Sequence, residues 1–123
     1  MIQSVFDWLR GWPVLGRLKL ERLDPDPGDA GLFCQGRTVL WQRRDILGRK
    51  QLCQRLEFLL SVHTLDPEDL ENFLLLDDLT VSAPVLGMDQ TVSVTQGRAV
   101  RSDGQGILRC QAKITFEFTK EVE

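Results

Sequence analysis

Apolar and polar residues alternate with a period of two along the end of this chain. From Leu108 to Phe118 every second residue is apolar (Leu108, Cys110, Ala112, Ile114, Phe116, Phe118), and Arg109, Gln111, Lys113, Thr115 and Glu117 fill the positions between them. A strand with one buried face produces this pattern. The run from Gln90 to Arg101 carries Val92, Val94 and Val100 at the same parity, and Ser102-Asp103-Gly104-Gln105-Gly106 separates the two, which predicts a long β-hairpin. Both apolar sets are even-numbered, so they share a face only if the numbers of facing residues sum to an even value. A three-residue loop at Asp103-Gly104-Gln105 meets this condition and predicts the pairs Val100–Leu108, Val94–Ile114 and Val92–Phe116.

Further back the period changes. Ile2, Val5, Phe6 and Leu9 fall at i, i+3, i+4 and i+7, predicting a helix over about residues 2–10 that Gly11-Trp12-Pro13 stops. Leu18 and Leu20 alternate with Lys19 and Glu21 as a short strand does, until Asp24-Pro25-Asp26-Pro27-Gly28-Asp29 interrupts regular structure as a rigid solvated turn. Residues 31–36 read as a brief extended piece. Residues 38–44 read as a strand on their β-branched and aromatic content (Val39, Trp41) more than on alternation. After a turn near Leu47-Gly48, residues 49–64 place Leu52, Leu56, Phe58, Leu60 and Val62 on one face and are expected to form the central strand. Asp66-Pro67-Glu68-Asp69 is a helix start, with Asp66 as cap and Pro67 at the first helical position, and it predicts a second helix reaching about Asp78. The expected fold is α+β: a mixed, mostly antiparallel β-sheet with two helices packed on it, ending in a long β-hairpin, in one domain spanning residues 1–123.

Composition narrows the functions available to such a fold. A formal charge of -3, from 15 basic and 18 acidic residues spread along the chain, gives no long-range field to draw nucleic acid or anionic lipid. The start of the chain lacks the basic region of a signal peptide, and no apolar run is long enough to span a bilayer. Cys34, Cys53 and Cys110 are odd in number and far apart, which supports neither a disulfide framework nor a zinc site. With one histidine and no tyrosine the chain is poor in general acid–base groups, and no Ser or Cys motif matches His63. The Asp24–Asp29 segment has three carboxylates but lacks the ligand spacing of a calcium loop. Arg43-Arg44 and Arg49-Lys50 can meet an acidic neighbour, but a solvated hairpin rim is the default reading. No catalytic residue, cofactor or metal site is expected, and the chain is read as a non-enzyme.

The order of elements, with Ile2-Gln3-Ser4, Phe6 and Trp8-Leu9 before Pro13, the Gly48 turn into a long strand, and the hairpin from Ser93-Val94-Thr95 to Ile114-Thr115-Phe116, resembles a known family. It is similar to the small minor capsid or tail-completion proteins encoded in prophages of Gram-positive bacteria, which are related in architecture to phage tail terminators. The resemblance covers about two-thirds of the chain and leaves out residues 24–41. It implies a single tail-terminator-like domain in a structural virion protein that acts in tail completion or head–tail joining as part of an oligomeric ring. The implied partners are other copies of the chain and phage tail-tube or head-connector proteins, with no direct nucleic acid and no membrane. The implied location is the virion, and the host cytoplasm during assembly. On this reading Asp24, Asp26 and Asp29 in the first loop and Asp103 and Gln105 at the hairpin tip are the candidate subunit-contact residues. The alternative is a cytosolic protein-interaction or ligand-binding module of small α+β fold.

Overall fold

The computed structural model of the chain describes residues 2–12, 15–24, 26, 28–64, 86–87, 89–96, 100–101 and 107–122. Helix α1 (Ile2–Arg10) is followed by strands β1 (Leu18–Leu20), β2 (Ala30–Arg44), β3 (Lys50–Thr64), β4 (Asp89–Gln96), β5 (Val100–Arg101) and β6 (Leu108–Val122). The strands form one sheet in the order β1-β2-β3-β6-β4, with β5 also pairing with β6. All pairings are antiparallel except β1 with β2. The alternating run after Gly48 is the central strand, as its pattern predicts.

The predicted α+β class is overturned, because the structure is mostly β-sheet with one helix among the described residues. The expected second helix, over about residues 66–78, lies outside the described residues. The sheet dominates because β2, β3 and β6 each run for 15 residues. The two short extended pieces read in residues 31–44 are in fact a single strand. Two irregularities hide its continuity in the sequence: pairing with β3 slips at Cys34/Gly36 and again at Val39/Trp41. Each slip adds one residue and moves the following side chains to the other face. The face shared with Leu60, Phe58, Leu56, Gln54 and Leu52 is therefore supplied on β2 by Leu32, Cys34, Arg37, Val39 and Gln42. Alternation in the sequence breaks where the pairing does not.

The hairpin register is largely as the parity argument requires, with Val94 facing Ile114 and Val92 facing Phe116. The third predicted pair is corrected: Val100 faces Arg109, and Leu108 faces Arg101. Gln96 faces Ala112 and Val100 faces Arg109, so the register of β5 on β6 differs by one residue from that of β4. The loop carrying Asp103 and Gln105 lies outside the described residues.

One face of the sheet holds the core. Leu56, Phe58, Leu60 and Val62 of β3 stack beside Cys110, Ala112, Ile114, Phe116 and Phe118 of β6, with Ala30 and Leu32 of β2 completing the layer. Helix α1 covers it with Val5 and Leu9, both fully buried, and with the partly buried Ile2 and Phe6, the four residues of its predicted apolar stripe. Trp8 meets Phe116 edge to face at 6.0 Å between ring centres, and Phe58 meets Phe116 the same way at 5.9 Å. Burial of the Cys110 thiol in this layer pushes its pKa upward, so it packs as a small apolar group. The opposite face is polar, with Arg55 donating to Glu117 at 2.7 and 2.9 Å and Lys113 beside Glu57 at 3.8 Å.

Candidate functional site

Two surfaces border the free edge of β2. The first is the acidic loop of residues 24–29, which the sequence marks as a contact surface. The second is the far half of the β2–β3 hairpin, which the sequence reads as two strands and a turn with a solvated basic rim.

The loop begins where β1 ends. Glu21 has a left-handed backbone (φ 57°), its amide donates to the Leu32 carbonyl at 2.8 Å, and its carboxylate accepts the Cys34 amide at 2.6 Å. The chain then passes over Gly31 so closely that a Cβ there would lie 2.4 Å from the Arg22 carbonyl oxygen. Asp24 accepts hydrogen bonds from Lys19 and from Arg22, the latter at 2.9 Å. These two bonds, with Lys19 the stronger influence, hold its carboxyl below the ordinary 3.8.

The far side of the loop is laced to the end of β3. Gly28 donates its amide to the His63 carbonyl at 2.7 Å, and His63 donates its own amide to the Asp29 carbonyl at 2.8 Å. His63 Nδ1 lies 2.8 Å from the Asp24 carbonyl. A carbonyl oxygen can only accept, so Nδ1 carries the hydrogen and the ring acts here as a brace for the loop. Asp29 is fully buried, with Arg17 Nη2 2.7 Å from its Oδ1. That contact is one of charge, because neither carboxylate oxygen receives an aligned hydrogen bond.

The predicted contact residues thus separate. Asp24 and Asp29 spend their carboxylates inside the molecule, Asp26 is exposed, and Asp103 and Gln105 lie outside the described residues. Two of the loop's three carboxylates, those of Asp24 and Asp29, face Arg17, Lys19 and Arg22 of its own chain. Among the described residues no group of three or more His, Cys, Asp and Glu is placed to hold a metal ion, and no helix is long and apolar enough to cross a membrane.

The hairpin beyond Gly36 is different. Every residue from Arg37 to Arg44 is exposed, although the segment is continuous β-strand. Beyond the Glu21–Cys34 bond no strand among the described residues pairs with its outer edge. Val39 (52% exposed), Leu40 and Trp41 stand in solvent, and at the tip Ile46 and Leu47 are 101% and 72% exposed. The tip is nonetheless well built. Asp45 Oδ1 accepts the amides of Leu47 and Arg49, both at 2.9 Å, and Gly48 supplies the positive φ of 79° that the turn needs. Partial burial pushes the Asp45 carboxyl upward, but the bonds from the Arg49 amide, the Arg49 guanidinium and the Leu47 amide together outweigh this and hold it low. Arg43 lies over the Trp41 ring at 4.5 Å, and Arg49 bridges Asp45 and Glu121 at 2.8 and 2.9 Å.

Sequence reasoning reads the strands, the turn and the basic residues of this arm but not its bare apolar ones, because the bulges erase the alternation. The signal that could have found it is the co-occurrence of apolar and basic residues in a stretch whose pattern assigns no buried face. No protein-family model matches the chain, and no curated protein matches it.

Proposed function

We propose that this chain is a structural assembly protein that works by binding other proteins, and that its place is in an oligomeric ring at tail completion or head–tail joining of a tailed phage. The observation that carries the reading is the β2–β3 arm. A hairpin whose turn is fixed by three hydrogen bonds to the Asp45 carboxylate holds five apolar side chains away from its own core. Apolar groups displayed on a rigid support favour a protein contact, because burying them costs little ordering entropy at the moment of binding. The polar groups around His63 are consumed in bracing a loop. The phage setting comes from the sequence resemblance, with tail-tube or head-connector proteins as partners beside copies of the chain.

The test is to delete the gene from a phage or inducible prophage that carries it and to image the particles by electron microscopy. Heads without attached tails, or tails of irregular length, are the expected result. Particles of normal form and infectivity would refute the phage role.

A further inference from the structure

At its arm end the sheet sorts charge by face. On the side that holds the core, the cross-strand rows from Phe116 outward are Arg37–Leu56–Phe116, Val39–Gln54–Phe118, Gln42–Leu52–Lys120 and Arg44–Lys50–Val122. Four cations stand in these rows and no carboxylate does. The carboxylates at this end of the sheet, Glu117, Glu121 and Asp89, belong to the other side, where Arg55 and Arg49 hold the first two. Arg37, Gln42, Arg44 and Lys50 are exposed, and Leu52, Lys120 and Val122 are half-buried. Arg37 donates to Gln54 at 3.1 Å and Arg44 to the Gly48 carbonyl at 3.0 Å, but none of the four cations pairs with a carboxylate among the described residues. Arg44 and Lys50 face each other directly, and like charges so placed weaken a strand ladder unless an anion comes between them. From this we infer that an acidic segment of a partner protein lies along this face, its carboxylates on Arg37, Arg44, Lys50 and Lys120 and its apolar side chains on Val39, Leu52 and Val122.

Charge complementarity and the make-up of the face select this occupant. Arg37 and Arg44 lie about 20 Å apart along β2, a span for an elongated ligand. At the outer end a depression of about 870 Å³ opens between Arg44, Lys50 and Val122 of the face and Gly48, Arg49 and Glu121 of its rim, far more space than a lone inorganic anion fills. Apolar side chains and the amides of Gln42 and Gln54 alternate with the cations, which suits the mixed side chains of a polypeptide. A nucleic-acid strand needs exposed rings on which to stack, whereas Phe118 is buried and Trp41 belongs to the opposite side of the sheet. A flat anionic bilayer is opposed by shape, because α1 stands on the same side of the sheet and meets such a surface before the face does.

The inference rests on the reading of this chain as one that binds other proteins, and it names the chemistry of the partner. Its test is fluorescence anisotropy with the full-length chain in about 0.1 M salt, where charge contacts still act over about 10 Å. The probe is a labelled peptide of repeating Glu-Glu-Val-Val, long enough to span the face, with Gln-Gln-Val-Val as its uncharged counterpart. In an extended chain this repeat shows both kinds of side chain on either side. The expected result is that the Glu peptide binds at least about tenfold more tightly than the Gln peptide, as desolvated charge pairs require. R44Q/K50Q should lose that difference and yet melt no lower than the wild type, because it removes a like-charge pair. R44K/K50R, which keeps the charge, should bind as the wild type does. So should R43E, which removes as much positive charge as R44Q/K50Q but from the opposite side of the sheet. No binding of the Glu peptide, equal binding of the two peptides, retention by R44Q/K50Q, or an equal loss in R43E or R44K/K50R would overturn the proposal. So would tighter binding of a single-stranded oligonucleotide or of phosphatidylserine vesicles than of the Glu peptide. Particle morphology after gene deletion is a separate readout, so loss of the phage role and loss of this contact are distinguishable.

Discussion

Gly31 shows how a single residue can set the relation between two elements. It lies on β2 opposite Lys19, with the Arg22 carbonyl oxygen and the Phe33 ring where a side chain would begin, at 2.4 and 2.9 Å from an ideal Cβ. G31A must push the backbone of residue 22 away and loosen the Asp24 clamp, at a cost of about 1–3 kcal/mol as for other overpacked sites. Urea unfolding of G31A against wild type measures it. Asp24 supports a second prediction, in pH. Its carboxyl ionises near the ordinary 3.8 in the unfolded chain and below that value in the fold, where Lys19 and Arg22 donate to it. The stabilisation is therefore complete above that ordinary value and is lost as pH falls through the lowered folded value. D24N removes the titrating group, so its melting temperature should fall less steeply than that of the wild type between pH 4.5 and 2.5 (approximate limits set by carboxylate titration). Equal slopes would show that Asp24 plays no part in the acid limb.

At the scale of elements, the core is a contact between the inner face of β3 and β6 and the apolar stripe of α1. Phe116 joins all three, because it pairs with Leu56 across the sheet, meets Phe58 edge to face and takes Trp8 of the helix against its ring. F116A should cost about 3–5 kcal/mol, the range for truncating a buried aromatic. The same substitution should also release α1, seen as a change in tryptophan fluorescence from Trp8. A loss of stability without that change would mean that the helix is anchored by Val5 and Leu9 alone. The β3–β6 pairing itself is unbroken over 15 residue pairs, from Lys50–Val122 to Thr64–Leu108, whereas β2–β3 pairing carries two slips. The arm is the part of the hairpin beyond the first slip, where β2 stays paired with β3 but its apolar residues Val39, Leu40 and Trp41 are exposed.

For the whole molecule, charge and shape divide the labour. The acidic loop of residues 24–29 is drawn inward by Arg17, Lys19 and Arg22 and fixes the end of β3, so shortening it would remove fold as well as surface. The turn of the basic arm is set by Asp45 and Gly48, and its apolar side chains are exposed. A contact carried by the arm should weaken as ionic strength rises from about 0.1 to about 1 M, over which the screening length falls from about 10 to about 3 Å. Binding through the apolar tip alone would survive that change.

Period alone determined α1, the central strand β3 and two of the three hairpin pairs, because in each the apolar spacing matches one unbroken regular geometry. Parity could not foresee that the registers of β4 and β5 on β6 differ by one, which sets Val100 opposite Arg109 and not Leu108, since a change of register leaves no mark in composition. Tertiary structure decided the remainder. It joined two weak extended pieces into the bulged strand β2, turned the carboxylates of Asp24 and Asp29 toward Lys19, Arg22 and Arg17 of their own chain, and left Val39, Trp41, Ile46 and Leu47 bare. Burial depends on what lies across a space, and the linear order of residues specifies that space only once the chain has closed around it.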